Sequence, residues 1–321
     1  MTNDKVVVTG GAGFIGSYLV EALLGRGHRV IVIDNFSKGS MGNLDSCRGN
    51  PLLTIVRRDI RDPRIPRILR GAAAVYHLAA LVGVQSSLDD PRKVNDVNVD
   101  GTLNLLKASE QNRVGRFVYA SSAAVYGFSR SAVQKESMPP NPVTPYAITK
   151  LASEIYCRLF HENYGLNTVS LRFFNVYGPR QRASYYSSVI TSFVSRISAR
   201  KSLIIFGNGR QVRDFVFVSD VLQALLLSLE SEKAMGKTIN IGTGKPTSVN
   251  ELAKTIVRLF GHRRFPIVRK PAREGDIRYS CADVTLARRV LGYTPKVELN
   301  DGIRTTLSHW ERNSRTNLDN L

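Results

Sequence analysis

An α/β fold, a doubly wound parallel sheet with a smaller C-terminal lobe, is what the sequence predicts, and three features predict it. A β-branched run from Lys5 leads through a glycine-rich turn, Gly10 to Gly16, into an amphipathic stretch. Short apolar segments then alternate with helix-like ones as far as Arg172. Beyond that point the alternation loses its simple strand–helix register, which implies a second, differently built region.

The first elements are VVVT, GGAGFIG and SYLVEALL, read as strand, turn and helix with the helix over Ser17 to Leu24. Gly10, Gly13 and Gly16 let the backbone turn tightly, approach a pyrophosphate and pack the helix on the sheet, and the helix N-terminus favours the anion. Phe14 and Ile15 lie in the same turn and are grouped with it as cofactor contacts. A second strand, His28 to Asp34, ends in an acid about 20 residues after the glycines, where a carboxylate accepts hydrogen bonds from a ribose diol. A 2′-phosphate would be repelled there, so NAD is expected over NADP. The spacing is GxxGxxG and not the commoner GxGxxG, so strand, turn, helix, strand and acid together carry the reading of a Rossmann unit.

Further strands are predicted at Leu52 to Arg57, Ala73 to Leu78, Arg116 to Ser121 and Asn167 to Arg172. In such a sheet ligands gather beyond the carboxyl ends of the strands. Asn35 follows the second strand there, Asp59 and Ile60 the third, Leu78, Ala79 and Ala80 the fourth, Ser121 and Ser122 the fifth, and Asn175 the sixth. Asn98 begins the helical stretch to Lys107, as a helix cap or as a cofactor contact.

Tyr146 and Lys150, in the segment YAITK, are four residues apart and emerge side by side if the segment is helical. A phenol with a pKa of about 10 is a poor base at neutral pH. A neighbouring cation favours its phenolate, and Ser122 would share the proton or hold a substrate oxygen.

Composition limits the partners. The chain has 321 residues, 45 Lys and Arg against 26 Asp and Glu, and a net charge of +19. Such a surplus suits an anionic partner, but the basic residues are scattered along the sequence and are not gathered in a tail or a stripe interleaved with aromatics. A solvated basic surface is therefore expected, with neither nucleic acid nor membrane as partner. Cys47, Cys157 and Cys281 are odd in number and lack CxxC spacing, so no disulfide framework and no metal site is expected. A reducing cytoplasm fits, as does the absence of a signal-peptide pattern or of an apolar run long enough to span a bilayer.

TGGAGFIG, DNFSKG, RRDIRD, HLAA, ASSAAVYG, YAITK, RFFNVYGPRQ, GNGRQVRDFVFVSDV and REGDIRYSCAD occur in the order and spacing of the extended short-chain dehydrogenase/reductase family. From about Lys5 to Trp310 the chain resembles that family's UDP-hexose 4-epimerase branch and its N-acetylhexosamine relatives. The resemblance implies a tightly held NAD and a catalytic triad of Ser122, Tyr146 and Lys150, the last two also touching the cofactor. It implies that Tyr146 takes the proton of the sugar 4-hydroxyl while NAD accepts hydride from C4. The 4-keto sugar then turns about its diphosphate tether and is reduced on its other face. It further implies that Arg213 and Arg273 clamp the diphosphate, that Val189 and Ile204 to Phe206 surround the uracil, that Asn175 bonds the sugar nucleotide and that Asp276 meets its ribose. A UDP-hexose is the implied substrate and a homodimer, packed through a four-helix bundle, the implied assembly.

The expected division is a nucleotide-binding part over residues 1–175, to which segments at about 210–245 return, and an interleaved sugar-nucleotide lobe over 176–321. Arg213 to Leu229 and Thr238 to Gly242 are the expected returning stretches. Two departures narrow the implied reaction. Dehydratases on this scaffold place an Asp-Glu pair after the catalytic hydroxyl residue, and decarboxylating relatives keep an acid there, whereas this chain has Ala123 and Ala124. Ser280 stands where epimerases confined to glucose and galactose carry a tyrosine, which leaves room for an N-acetyl group. The alternatives are a UDP-glucuronate 4-epimerase, with Arg182 meeting the carboxylate, an NAD-dependent oxidoreductase that releases an oxidised sugar, and a non-catalytic nucleotide- or nucleic-acid-binding protein.

Overall fold

The computed structural model describes residues 4–129, 131–181, 189–272 and 276–318, the stretch from 311 by backbone alone. In chain order the strands are β1 (Lys5–Thr9), β2 (Arg29–Asp34), β3 (Leu53–Arg57), β4 (Ala74–His77), β5 (Arg116–Ser122), β6 (Thr168–Phe173) and β7 (Asn175–Tyr177). They continue as β8 (Leu203–Phe206), β9 (Val212–Phe217), β10 (Thr238–Ile241), β11 (Pro246–Ser248), β12 (Ile267–Lys270) and β13 (Tyr279–Ser280).

Seven strands form one parallel sheet in the order β10-β6-β5-β4-β1-β2-β3. Alternate side chains of a strand enter opposite faces. Val6 and Val8 accordingly lie in one core cluster and Val7 in another, and all three are fully buried. Burial on both faces explains why β1 carries three consecutive valines, and β6 is buried throughout although its residues alternate polar and apolar; each buried Val, Leu or Phe contributes about 1.5–3 kcal/mol. The winding direction reverses between β1 and β4, so the crevice beyond their carboxyl ends is the expected ligand position.

The remaining strands are shorter. β9 is flanked by β11 and β13 and also pairs with β7, while β12 pairs with β8. Arg213 to Leu229 therefore does not return to the main sheet as one unit. Its strand β9 stays in the second sheet, whereas helix Val218–Glu230 packs against helix Phe14–Gly25 and β5. The split has a physical cause: Phe215 and Phe217 are buried in the smaller lobe's core and Val216, on the opposite face of the strand, in the main one. Thr238–Ile241 does join the main sheet, as β10 beside β6.

Asn98 does not begin a helix. The helical path starts at Pro91, where the Asp90 carboxylate accepts the Lys93 N–H at 3.0 Å, passes through a π turn at Asp96–Asp100 and continues to Gln111. Proline at the first helical position and an acid just before it form the stronger start signal.

Candidate active site

The glycine turn is packed too closely for side chains. Gly10 has φ +68°, and a Cβ there would lie 2.8 Å from the Ala79 amide nitrogen. A Cβ on Gly16 would strike the Gly10 carbonyl, and Gly13 donates its N–H to that same carbonyl at 3.0 Å. Helix Phe14–Gly25 starts from Gly13 with no side-chain cap and no acid in its first turn. Its end thus offers unsatisfied N–H groups and positive potential to an anion. Phe14 and Ile15 are half-buried and pack against the smaller lobe's core.

Asp34 is tied to this turn. Its Oδ2 accepts the Ala12 N–H at 3.0 Å and its Oδ1 the Phe36 N–H at 2.8 Å. Burial pushes its carboxyl up, and these two hydrogen bonds act against that. An open pocket of about 480 Å³ lined by Phe36, Gly39, Ser40, Met41, Ile55 and Arg57 lies beside it. Asn35 donates to Asp59 at 3.1 Å, and the Arg61 side chain holds Asp59 below the usual carboxylate range. Ile60 is buried, with its carbonyl held by Asn104 at 2.7 Å. Uncapped helix, glycine cradle, buried acid and adjoining pocket fit a dinucleotide.

The fourth strand's end is fixed by a residue that the sequence reading passed over. His77, 1% exposed, is bonded to Thr9 at 2.8 Å and to Thr102 at 2.9 Å, and burial brings its pKa down to about 3. Thr9 also accepts the Ala79 N–H at 3.2 Å, and Leu78 donates its N–H to the Thr9 carbonyl at 3.2 Å, so the two strand ends are bound together. Ala80 follows half-buried. Asn98 brackets the next residue, accepting from Leu81 N–H at 2.8 Å and donating to its carbonyl at 3.0 Å, and reaches Thr149 at 3.1 Å. It positions a loop and caps no helix.

Helix Pro145–Tyr164 presents the predicted pair. Thr144 accepts the Ala147 N–H at 3.2 Å and proline occupies the first turn, which places Tyr146 at the start of the helix. Lys150 is 4% exposed; its Nζ donates to the Ala120 carbonyl at 2.7 Å and lies 4.9 Å from the Tyr119 ring centroid and 6.0 Å from that of Tyr146. Burial lowers its pKa to about 8. Burial also pushes the Tyr146 phenol up, against a hydrogen bond with Ser122. The expected lowering of the phenol is thus absent, because desolvation outweighs the Ser122 hydrogen bond. Ser122 accepts the Ala124 N–H at 3.2 Å and opens a short 3₁₀ turn holding Ala123 and Ala124.

Beneath the triad lies a buried polar cluster. Ser121 donates to Glu154, and Arg172 reaches Glu154 from Nη2 at 2.7 Å and from Nε at 3.0 Å. The Arg172 guanidinium stacks 4.7 Å over the Tyr126 ring, whose hydroxyl donates to Asn240 on β10 at 2.7 Å. Ser121 is therefore turned toward the helix. Glu154 and Arg172 were not foreseen, although Glu154 stands four residues after Lys150, a spacing that puts both on one helix face.

On the smaller lobe Arg213 and Asp276 come together: Arg213 Nη2 donates to Asp276 Oδ1 at 2.6 Å and Nη1 to the Ile277 carbonyl at 2.6 Å. Ser280 on β13 is in register with Arg213 on β9. Asn175 donates to the Asp214 carbonyl at 3.3 Å. Ile204 and Phe206 share one half-buried face of β8, and Val189 begins helix Val189–Ser198. Arg273 and Arg182 lie outside the described residues.

Comparison with known proteins gives the family. The family model described as GDP-mannose 4,6 dehydratase matches residues 7–306. The UDP-glucose 4-epimerase of Mycolicibacterium smegmatis is 38% identical over 97% of this chain and 100% of its own. Among solved structures, a UDP-N-acetylglucosamine 4-epimerase from Methanobrevibacter ruminantium in complex with UDP-N-acetylmuramic acid superposes with a TM-score of 0.93 at 37% identity, covering 98% of this chain and 100% of that one. A UDP-glucose 4-epimerase from Thermotoga maritima with UDP-glucose gives 0.91 at 37% identity, covering 97% and 99%. A UDP-glucuronic acid 4-epimerase from Bacillus cereus with UDP-glucuronic acid and NAD gives 0.91 at 32% identity, covering 96% and 99%. The chain belongs to the GDP-mannose 4,6-dehydratase-type family of extended short-chain dehydrogenases/reductases. It is a nucleotide-sugar enzyme of the 4-epimerase/dehydratase group, and NAD is the cofactor of that family.

Proposed function

We propose that this enzyme is a 4-epimerase interconverting UDP-glucose with UDP-galactose and UDP-GlcNAc with UDP-GalNAc through a transient 4-keto sugar. The observation that carries the reading is the pairing of Tyr146 and Lys150 beside Ser122, with Ala123 and Ala124 filling the adjoining turn. NAD, when bound by the glycine turn and Asp34, supplies the reversible two-electron chemistry at C4. The chain's own residues then handle a proton. Tyr146 Oη takes it from the sugar 4-hydroxyl and returns it, Ser122 shares it, and the Lys150 ammonium is the nearby cation that favours the phenolate. Two alanines after Ser122 provide no acid or base for removing water across C5 and C6, which favours epimerisation over dehydration.

For the sugar nucleotide, Arg213 is the diphosphate cation already held near Ser280, and Asp276, its present partner, is the ribose acceptor. Ile204, Phe206 and Val189 offer an apolar wall for the uracil. The small Ser280 side chain accommodates an N-acetyl group. A homodimer is supported by helix Pro145–Tyr164, which leaves Ile148 and Ile155 exposed at 53% and 41% on one side.

A panel of UDP-sugars, UDP-glucuronate included, assayed for C4-epimer formation without added NAD tests the reading. Balanced epimer mixtures from the hexose pairs are expected. A 4-keto-6-deoxy product, or epimerisation of UDP-glucuronate alone, would overturn it. The Ser280→Tyr variant should lose N-acetylhexose turnover and keep that of glucose and galactose; unchanged N-acetyl turnover would remove the size argument.

A further inference from the structure

The surplus of basic residues is not evenly spread once the chain is folded. Residues 196–212 and 252–272 contain ten Lys and Arg and no Asp or Glu. Pairing of β8 with β12, from Leu203 opposite Ile267 to Phe206 opposite Lys270, brings the two stretches together. Helix Val249–Leu259, which carries Lys254 and Arg258, packs on β8. Arg258, Arg263, Arg264, Arg269 and Lys270 are exposed, and none has a carboxylate partner among the described residues. Arg269 is held only loosely, to the Gly207 carbonyl at 3.4 Å and to Asn250 at 3.3 Å.

Apolar groups sit among these cations. Every residue of β12 is exposed, with Ile267 at 43% and Val268 at 45%, and β12 has β8 as its neighbour on one edge and no strand on the other among the described residues. Phe265, between Arg264 and Pro266, is half-buried against the lobe's core. The patch therefore offers cations and aliphatic side chains and, among the described residues, one exposed ring, His262, which tilts against Phe265 at 5.2 Å, and not the series of rings on which successive nucleic-acid bases stack. Cations flanking a small exposed apolar strip are the composition that suits a lipid–water boundary, where anionic headgroups meet the acyl region. Arg263 and Arg264 also stand at the Leu203 end of β8, about 10 Å of strand away from Phe206, while Val268 is in register with Ile204, so the patch adjoins only the near end of the proposed uracil wall.

We propose that this face of the smaller lobe docks on an anionic lipid surface, with Arg258, Arg263 and Arg264 at the level of the phosphates and Ile267 and Val268 entering the headgroup region. The enzyme would then act as a peripheral protein, held reversibly and released by salt, since exposed charges are screened beyond about 8 Å at physiological ionic strength. It is tested by sedimenting the full-length protein with vesicles of phosphatidylcholine mixed with phosphatidylglycerol, and with pure phosphatidylcholine. Retention on the anionic vesicles, reversed by salt, is expected. The triple variant Arg258→Gln, Arg263→Gln, Arg264→Gln should bind about fivefold more weakly for each charge removed, on the order of a hundredfold in all. The double variant Ile267→Ser, Val268→Ser should also bind more weakly, and both variants should keep the parent's melting temperature. Equal retention on neutral vesicles, or undiminished binding by the triple variant, would overturn the proposal. So would retention by single-stranded RNA with none by the vesicles, which would reassign the patch to nucleic acid.

Discussion

Arg172 has a side chain 6% exposed and three hydrogen bonds to Glu154, whereas Arg263 faces solvent with no carboxylate partner among the described residues. The contrast extends to their surroundings. Around the main sheet, Arg58 and Arg64 hold Asp62, Arg61 holds Asp59 and Arg180 holds Glu21. On the outer face of the smaller lobe the cations stand without such partners among the described residues. The difference shows two uses of one residue type. A cation bonded within the fold fixes neighbouring groups, here Ser121 and the helix that carries Tyr146 and Lys150. A cation left open contributes little to the fold and remains available to something outside it.

Five variants break or sharpen that contrast, ordered by expected effect. Tyr146→Phe should lower kcat by about 10²–10⁴-fold while leaving the urea midpoint unchanged; a smaller loss would mean that the buried cluster serves another group. Glu154→Ala should destabilise the protein by about 3–5 kcal/mol in urea unfolding, because it leaves Arg172 buried and uncompensated. A cost under about 1 kcal/mol would place the pair with the surface pairs. Lys150→Met tests the effect of burial on a cation through pH. Folding lowers the Lys150 pKa from its ordinary 10.5 to about 8, so between those values the unfolded chain binds the extra proton and the lysine's contribution to stability rises with pH. Wild type should therefore gain on the order of 3 kcal/mol relative to the variant across that window, read from paired denaturation curves; a constant difference would contradict the shift.

The two smallest effects belong to the other lobe. Ser248 and Glu251 form a capping box at the start of helix Val249–Leu259, and Ser248→Ala should cost about 1 kcal/mol in thermal or urea unfolding. Arg263→Gln with Arg264→Gln should change stability by less than about 0.5 kcal/mol. A larger loss would show that these cations are structural after all.

The main sheet was legible because its elements announce themselves locally. The β-branched runs, the glycine turn and Asp34 lie within one βαβ unit, and Tyr146 and Lys150 are related by helical spacing alone. What could not be read depends on distant partners. The Glu154–Arg172 pair joins a helix to β6, and His77 joins three elements through Thr9 and Thr102. Strand β9 ends in three consecutive apolar residues with no sign that Phe215 and Phe217 enter one core and Val216 another. The basic residues look scattered along the sequence for the same reason: only the pairing of β8 with β12 gathers them on one face. The phenol of Tyr146 was expected to be lowered by its neighbour, and spacing could not reveal how deeply the pair is buried.

The outer strand β10 is supplied from late in the chain, although the strand it pairs with, β6, ends at Phe173. During synthesis the 65 residues from Phe173 to Thr238 take roughly 3–13 s to add, and for that interval the edge of β6 has no β10 to cover it. An uncovered edge strand is a template for pairing with other chains. The nascent protein therefore has a window of seconds in which the edge of β6 is open, and the window closes when β10 docks and Asn240 meets Tyr126.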